Sequence, residues 1–346
     1  MLKNHKKYNI RIVNISLGGE RISSFKESRI DQLVEQLISL GVVIVAAVGN
    51  TENGQIFPPA NSPHVIAVGG VDDSNRTDHS ILPYHSTWGQ TSDGFFKPEL
   101  TAPAIWLAAP ILPGTAQHTE ACILFELLQL EPAQLEKQIP KFSRQFNWDI
   151  KEIHSPEEAR NYVKRRITES RFLTPDYMHV DGTSFAAPIV SSVIAQLLEV
   201  NPDLTPATIR HILFSTARKI ATIPPQQQGY GLIQPRKAVL KALNRKHYPD
   251  VFSPYLHRDR KTIEFIYYND CAEEVALAGS FNSWSSDLLL QPGSNGIWKA
   301  ELPMLPSGKY QYKFVIDRKT WVEDFSNPYR EPDGVNGFNS ILFVEH

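Results

Sequence analysis

The sequence predicts an α/β domain built on a parallel sheet flanked by helices, followed by a smaller antiparallel β-sandwich. In residues 10–72, short apolar runs alternate with a segment of helical spacing, a pattern typical of parallel strands covered by helices on both faces. From residue 261 onwards, apolar residues alternate with period two between turn motifs such as "SNG" and "PSG", which favours antiparallel strands. A length of 346 residues is itself typical of two domains.

Short apolar runs define the strands of the first domain. Residues 10–16, 42–48 and 64–72 are each predicted to be a buried strand, because their apolar residues are nearly continuous. Residues 28–41 have the apolar spacing of an amphipathic helix. The apolar run 104–112 is interpreted as a further buried strand.

A helical insertion is predicted between residues 115 and 178. Residues 119–130 and 155–170 both have helical spacing, and Ser155 followed by Pro156 is typical of a helix N-terminus. The predicted helices after the insertion are one that begins at Ser184, then 205–220 and 234–246. The predicted domain limits are 1–246 for the first domain, 247–258 for a linker rich in proline and aromatic residues, and 259–346 for the sandwich.

The composition gives no sign of a nucleic-acid or membrane partner. The net charge is -2, with 42% hydrophobic and 21% charged residues, so no excess of one sign favours nucleic acid or an anionic surface. The runs 42–48 and 104–112 are too short to cross a bilayer.

The two cysteines, Cys122 and Cys271, are interpreted as isolated thiols. We therefore expect no metal site and no cofactor, while structural calcium ions stay an open question. No secretory leader opens the chain, and the sequence assigns it to no compartment.

The stretch "GTSFAAP" at residues 182–188 contains a candidate nucleophile, Ser184. The serine stands at the start of an apolar helix, whose N-terminus favours negative charge. Taken alone, such a serine is most often only a helix cap. Asn50, however, ends a predicted buried strand, and its amide can point into a cleft at the carboxyl ends of the strands, where ligands bind in such sheets.

Five motifs occur in an order that resembles the subtilisin-like serine proteases. The resemblance covers residues 8–243, apart from the helical insertion. The motifs are "NISLGG" (14–19), "AAVGN" (46–50), "FPPANSPHVIAVGGVD" (57–72), "FKPELTAPA" (96–104) and "GTSFAAP" (182–188). The resemblance implies an incomplete subtilisin-like fold in which Ser184 is the nucleophile and Asn50 donates to the oxyanion. Removal of the corresponding asparagine of subtilisin lowers kcat by about 10²–10³-fold.

The resemblance also implies where a peptide or protein substrate binds. Ser16, Leu17 and Gly18 would form a strand edge that pairs with an extended peptide. Ala47, Val48 and Gly49 would form one wall of the primary specificity pocket. The sequence departs from the family pattern at two positions, since Val48 replaces the usual alanine and Ala104 the usual glycine.

The base that would activate Ser184 is missing from the expected place. In this family the catalytic Asp and His precede the serine and stand upstream of the "SLGG" strand, which here begins at residue 16. Four histidines lack the Asp or Gly context of a catalytic base: His64, His79, His85 and His118. His179 lies five residues before Ser184 on the incoming strand, where we expect its side chain to be buried or turned sideways. We interpret all five as surface or core residues.

Three explanations stay open for the missing Asp and His. The sequence is an incomplete copy of a longer protease, with an N-terminal polypeptide segment that carries both residues. Alternatively, a second polypeptide supplies them, or the domain is a degenerate, inactive remnant. In each case this chain alone is expected to be inactive, because an oxyanion hole without the triad gives only about 10³–10⁴-fold catalysis over water.

The C-terminal domain resembles the glycogen-binding modules of AMP-activated kinase β-subunits and of glycogen branching and debranching enzymes. The motifs "GSFNSW", "GKYQYKFVID" and "NSILFV" occur in order within residues 261–345. The resemblance implies an immunoglobulin-like sandwich with an α-glucan as its ligand. The residues implied to contact the sugar are Trp284 and Trp321 by stacking, Lys313 and Asn339 at its hydroxyls, and Val335 on a closing loop. Trp298 is expected in the core.

The sequence thus favours a serine endopeptidase with an appended α-glucan-binding module. Its catalytic Asp and His would lie outside this chain. One alternative is an inactive subtilase-fold scaffold or carbohydrate-binding protein. Another is an interaction module in which neither site is used and the sandwich docks on the first domain.

Overall fold

The computed structural model describes residues 2–19, 21–52, 54–74, 80–151, 153–243 and 253–345. These residues form two compact units, one of residues 1–104 with 182–346 and the other of residues 105–181. The predicted insertion, residues 115–178, falls inside the second unit.

A parallel sheet forms the centre of the first unit. Its elements are β1 (Ile12–Ile15), α1 (Arg29–Ser39), β2 (Val43–Ala47), β3 (Ile66–Asp72), β4 (Leu82–Pro83), β5 (Gly89–Gln90), β6 (Phe96–Lys97) and β7 (Leu100–Pro103). Strands β1, β2, β3 and β7 pair in parallel, in that order. Strand β4 adds an antiparallel bridge to β3, so the sheet is mixed at that edge. All three predicted strands are present, and β2 and β3 are buried almost throughout, as predicted. Strand β1 is not the buried strand that we predicted, because only Val13 is buried in it and Asn14 is exposed.

The second unit contains three helices and a small antiparallel sheet. Its elements are β8 (Leu107–Pro110), α2 (Ala116–Leu128), α3 (Pro132–Ser143), α4 (Pro156–Glu169), β9 (Phe172–Thr174) and β10 (Tyr177–Val180). Helices α2 and α4 confirm the sequence prediction, and Thr115 and Ser155 cap them through their side chains. Helix α3 was not predicted, although Leu135 and Ile139 are buried on one face of it.

The apolar run 104–112 is not the buried strand that we predicted. Strand β8 lies in it, but its residues are only partly buried and alternate with exposed ones, Ala108 and Pro110. In a small antiparallel sheet one face can stay open to solvent, and a continuous apolar run does not reveal this.

Four helices complete the first domain: α5 (Thr183–Val200), α6 (Pro206–Thr216), α7 (Pro225–Gln228) and α8 (Pro235–Leu243). Alternate residues of β2 point to opposite faces of the sheet. Val43 and Val45 pack with α5, α6 and α8, whereas Ile44 and Ala46 pack with α1. Helices therefore cover both faces, as predicted. Of the described helices, α5 alone is long and apolar enough to cross a membrane by length and composition, and here it packs on the sheet.

The C-terminal domain consists of two antiparallel sheets. Its strands are β11 (Tyr255–His257), β12 (Thr262–Tyr268), β13 (Val275–Gly279), β14 (Gln291–Pro292), β15 (Ile297–Pro303), β16 (Gly308–Ile316), β17 (Thr320–Val322), β18 (Arg330–Pro332) and β19 (Phe338–Val344). One sheet has the order β11-β12-β15-β14, and the other the order β13-β16-β19-β18 with β17 paired to β16. Phe265 and Trp298 of the first sheet share a cluster with Tyr312 and Phe314 of the second.

Burial in this cluster confirms that Trp298 is a core residue. Its side chain is 8% exposed, and its indole N–H donates to the carbonyl of Asn269 (2.8 Å).

The segment predicted as a linker differs from expectation. Residues 244–252 lie outside the described residues, and Tyr255–His257 pairs with β12 as a strand. Its proline-rich composition gives no hint of this pairing, because the partner strand decides it.

The all-β domain packs directly on the first domain. Tyr268 is buried in the cluster that also contains α5 and α6. The ring of His211 on α6 lies edge-on to Tyr268 and to Phe325, with centroids 6.0 and 5.4 Å apart. The guanidinium of Arg330, whose side chain is 3% exposed, donates to the carbonyl of Pro98 (3.1 Å). The C-terminal domain is thus joined to the first domain through buried side chains.

Candidate active site

The candidate catalytic residues lie at the carboxyl ends of the parallel strands. Asn50 follows β2, Ser16 follows β1, and Ser184 is the second residue of α5. This edge of a parallel sheet is where ligands bind in such folds. The sheet thus brings together three segments that are far apart in the sequence.

The side chain of Asn50 is oriented by Thr183. Its Oδ1 atom accepts hydrogen bonds from the backbone N–H (2.8 Å) and the hydroxyl (3.0 Å) of Thr183. A backbone N–H can only donate, so the amide oxygen must face it and Nδ2 is turned the other way. A Cβ placed on Gly182 would lie 3.4 Å from Asn50 Nδ2 and 3.7 Å from the backbone nitrogen of Ser184. Two donor nitrogens therefore flank the same small space, and Asn50 Oδ1 lies slightly farther from it, at 3.8 Å.

The absence of a side chain at Gly182 keeps this space open. Its φ of +135° is a conformation that residues with a Cβ rarely adopt. Its own N–H donates to the carbonyl of Ala104 (2.7 Å), which fixes the approach to α5. The first N–H groups of a helix have no intrahelical acceptor, so the N-terminus of α5 favours negative charge in this space.

Ser184 is half-buried, and its hydrogen bonds join it to Ser16. The Ser184 hydroxyl lies 3.4 Å from the Ser16 carbonyl oxygen, and the Ser16 hydroxyl donates to the Ser184 carbonyl (2.7 Å). Among the described residues, the Ser184 hydroxyl thus donates to a backbone carbonyl, that of Ser16. A carbonyl cannot act as the general base of nucleophilic catalysis.

The histidines that we considered as bases have other partners. His64 Nδ1 is 2.6 Å from a carboxylate oxygen of Glu35. Burial opposes ionisation of this carboxyl, but its bonds to His64 and Ser62 hold the pKa of Glu35 below its ordinary value. His85 stacks near Tyr84, with ring centroids 4.0 Å apart.

In the second unit, His118 Nε2 lies 3.1 Å from Asp176, and His179 Nδ1 lies 2.8 Å from the Trp106 carbonyl. His79 lies outside the described residues.

The predicted substrate edge follows β1 and is exposed. Leu17 is 63% exposed, Gly18 is exposed, and the N–H of Gly19 donates to the carbonyl of Pro58 (2.8 Å). Within the described residues, β1 pairs only with β2, so its other edge is open. The role of Ser16, Leu17 and Gly18 in peptide pairing stays a prediction.

The predicted pocket wall presents its backbone rather than its side chains. Ala47 and Val48 are buried in the two clusters on opposite faces of the sheet. Gly49 has φ +114°, and a Cβ there would lie 2.6 Å from the Thr87 hydroxyl. The role of these residues in substrate specificity also stays a prediction.

Thr87 was not singled out from the sequence, and it clamps the segment that carries Asn50. Its N–H donates to the Gly49 carbonyl (2.9 Å), and its hydroxyl accepts from the N–H of Thr51 (3.2 Å). Thr183 was likewise missed as an orienting residue. Its place next to Ser184 in "GTS" was the available signal, whereas nothing in the sequence links Thr87 to residue 50.

The predicted sugar-contacting residues share the outer face of the sheet that contains β16. Tyr312 and Phe314 point inwards, so Lys313 and Val315 point outwards. The rings of Trp284 and Trp321 lie 6.2 Å apart at 46°. Trp284 is half-buried against Val315, whereas Trp321 is 45% exposed.

The polar residues of this face already have protein partners. Lys313 Nζ lies 2.6 Å from Asp333, and Asn339 Nδ2 donates to Gln311 (3.1 Å). Val335, on the loop after β18, is 90% exposed. The sequence reasoning missed Asp333, which is part of the "DGVNG" loop.

The structure thus defines an α/β domain with a candidate nucleophile at a helix N-terminus, followed by a β-domain with an aromatic outer face. Family models agree with it. The subtilase family model matches residues 2–231, and the model for the glycogen recognition site of AMP-activated protein kinase matches residues 263–345. The chain belongs to the subtilase family, and both resemblances are confirmed.

Individual relatives match each domain separately. Serine protease AprX of Bacillus subtilis (strain 168) is 26% identical over 236 residues, which cover 66% of this chain and 43% of AprX. The human 5'-AMP-activated protein kinase subunit beta-2 is 38% identical over 63 residues, 18% of this chain and 22% of that subunit. The solved structure of the prenylagaramide maturation protease PagA matches with a TM-score of 0.43 and 19% identity, over 71% of this chain and 66% of that one. The chain spans less than half the length of the curated relatives it matches.

Proposed function

We propose that this chain supplies the nucleophile and the oxyanion hole of a serine endopeptidase. Ser184 attacks the peptide carbonyl, and Asn50 Nδ2 and the Ser184 N–H stabilise the oxyanion. The peptide pairs with the edge formed by Ser16, Leu17 and Gly18, and its side chain lies against Ala47–Gly49. The observation that carries the proposal is the pair of N–H donors beside the same space at Gly182, at 3.4 and 3.7 Å from one point.

The catalytic Asp and His come from a polypeptide segment outside the residues of this sequence. The open edge of β1 supports this, because an added strand there would lie beside Ser16, and the Ser16 and Ser184 side chains already contact each other's backbone. Without the base, the oxyanion hole and the binding edge provide only about 10³–10⁴-fold catalysis over water.

The test is labelling of Ser184 by a fluorophosphonate, which reacts rapidly only with an activated serine. First, the DNA upstream of the Met1 codon is sequenced for a frame that encodes the Asp and His motifs, and the protein is then made together with that segment. We expect labelling that Ser184→Ala abolishes and Asn50→Ala slows by about 10²–10³-fold. Ser191→Ala, which changes another half-buried serine of α5, is the matched control and leaves labelling unchanged.

A second candidate function is an inactive scaffold. The observation that favours it is the hydrogen bond of the Ser184 hydroxyl to a carbonyl rather than to a base. A stop codon upstream without either motif, together with no fluorophosphonate labelling of protein isolated from its source, would decide for the scaffold.

We propose further that the two C-terminal sheets form an immunoglobulin-like sandwich that binds α-glucan. Sugar rings present apolar C–H faces that stack on aromatic planes, and the pair Trp284 and Trp321 offers such planes. Lys313 and Asn339 provide donors to the hydroxyls, and Val335 covers the sugar from the loop.

The glucan proposal is tested by isothermal titration with maltoheptaose. We expect Trp284→Ala to weaken binding at least tenfold. Trp106→Ala, at another exposed tryptophan, is the control and leaves the affinity unchanged. If the unaltered chain binds no glucan, the sandwich has only its docking role on the first domain.

A further inference from the structure

The loop that carries Val335 is folded around Asp333. One carboxylate oxygen of Asp333 accepts from the N–H groups of Val335 (2.9 Å) and Gly337 (3.0 Å), and the other lies 2.6 Å from Lys313 Nζ. Burial opposes ionisation of this carboxyl, but Lys313 and the two N–H groups lower the pKa of Asp333 to about 2. The carboxylate thus joins the loop to Lys313, another of the proposed sugar contacts.

A second contact with this loop comes from a residue of the subtilase domain. Lys219, in the segment after α6, donates from Nζ to the carbonyl of Asn336 (2.9 Å), next to Val335. Its ammonium also lies 3.7 Å from the buried carboxylate of Glu323. About a third of the Lys219 side chain, 34%, is exposed.

The segment that carries Lys219 is itself fixed. Arg218 exchanges two backbone hydrogen bonds with Leu232, at 2.8 and 2.9 Å. The N–H of Ile220 donates to the buried side chain of Gln228 (2.7 Å), which also donates back to the Ile220 carbonyl (2.9 Å). The residues on both sides of Lys219 are therefore held, so its ammonium contacts the loop from a rigid base.

We infer that Lys219 of the subtilase domain is a positioning residue of the α-glucan site in the sandwich. The inference rests on the glucan binding proposed above. Val335 is 90% exposed, so side-chain packing does not hold it, and its position depends on the backbone ties to Asp333 and Lys219. Ordering a loop during binding costs affinity, and a loop that is ordered beforehand avoids that cost. The glucan site is therefore completed by both domains.

The experiment measures maltoheptaose binding by isothermal titration in the full chain and in three variants. Lys219→Met removes the hydrogen bond to Asn336, and we expect binding about five- to tenfold weaker in a chain that stays folded at the titration temperature. Lys219→Arg keeps a donor and restores most of the affinity. Lys299→Met removes a lysine of the same charge that pairs with Glu264 on the other sheet, and it leaves binding unchanged.

Hydrogen exchange provides a readout that does not need the sugar. The N–H groups of Val335 and Gly337 exchange faster in Lys219→Met than in the unaltered chain, whereas Lys299→Met leaves their exchange unchanged. If the methionine lowers the Tm, Lys219→Met is combined with Glu323→Gln, which removes the buried charge that Lys219 faces.

The outcomes distinguish the positioning role of Lys219 from the glucan binding on which it rests. If the unaltered chain binds maltoheptaose and Lys219→Met binds equally well, the positioning role is refuted and glucan binding stands. If the unaltered chain does not bind, the glucan proposal fails and this inference with it. Weaker binding that Lys219→Arg does not restore, with exchange at Val335 and Gly337 unchanged, also refutes the positioning role.

Discussion

Replacement of Arg330 by methionine tests whether the C-terminal domain and the subtilase domain form one cooperative unit. The guanidinium donates to the carbonyls of Phe96 (3.3 Å) and Pro98 (3.1 Å) across the domain boundary. It lies 4.2 Å from the ring centre of Tyr230 and 3.7 Å from the carboxylate of Glu323. Methionine keeps much of the stem volume and removes all of the polar contacts.

The expected loss of stability follows from these contacts. A hydrogen bond from a charged donor contributes roughly 1.5–3 kcal/mol, and a desolvated cation–π contact about 2 kcal/mol, but contacts of one group are not additive. Glu323 would be left buried with Lys219 and Lys313 as the cations that act on it, and burial already raises its pKa. Breaking a buried pair typically costs 3–5 kcal/mol, and we expect Arg330→Met to lower the free energy of unfolding by about that amount.

The assay is urea unfolding followed by tryptophan fluorescence and circular dichroism. Arg318→Met is the control, because Arg318 pairs with Glu274 at the exposed surface of the same domain and such pairs contribute little. Glu323→Gln added to Arg330→Met should recover part of the loss, since it removes the unpaired charge. A midpoint for Arg330→Met equal to that of the unaltered chain would refute the reasoning.

Three further perturbations have defined outcomes. Burial raises the pKa of Asp31 from 3.8 to about 6, so the folded state binds a proton that the unfolded state has already lost. The free energy of unfolding therefore falls as pH rises from about 4 to 6, by up to roughly 3 kcal/mol. Asp31→Asn should flatten this pH dependence, measured by thermal unfolding at several pH values. Lys97→Met leaves the buried Glu99 carboxylate without its ammonium partner and should cost about 3–5 kcal/mol in urea unfolding, part of which Glu99→Gln recovers. Gly182→Ala puts a Cβ 3.4 Å from Asn50 Nδ2 and should slow fluorophosphonate labelling of the complete protease at least a hundredfold. The φ of +135° strains a residue with a Cβ, so the Tm should fall as well, and circular dichroism at the labelling temperature checks that the variant is folded.

The secondary structure that the sequence predicted well is the part decided by local pattern. The strand at residues 42–48 is apolar at every position, and all five residues of β2 are buried. Helix α4 begins where Ser155 and Pro156 indicate. By contrast, β11 exists because β12 lies beside it, and no residue in 255–257 encodes that neighbour.

The candidate site likewise has residues that the sequence reveals and residues that only the fold reveals. Ser184 and Asn50 were found because each lies in a short motif that a reader of the sequence can recognise. The orientation of Asn50 depends on Thr183, which is 133 positions away in the chain, so only the folded sheet reveals it. Arg330 and Lys219 were missed for the same reason. Each donates to a backbone carbonyl, which has no sequence signature, and only the fold brings both of them next to Glu323.

The two contacts across the domain boundary have a thermodynamic consequence for the whole chain. Glu323 lies between Arg330 and Lys219, at 3.7 Å from each, so the residue that anchors the sandwich and the residue that ties the glucan loop share one buried carboxylate. If docking of the sandwich orders the loop and tightens glucan binding by some factor, then bound glucan must stabilise docking by the same factor, because coupling between two equilibria is reciprocal. A glucan that binds the C-terminal domain should therefore also protect the subtilase domain against unfolding, although it does not touch the helix that carries Ser184.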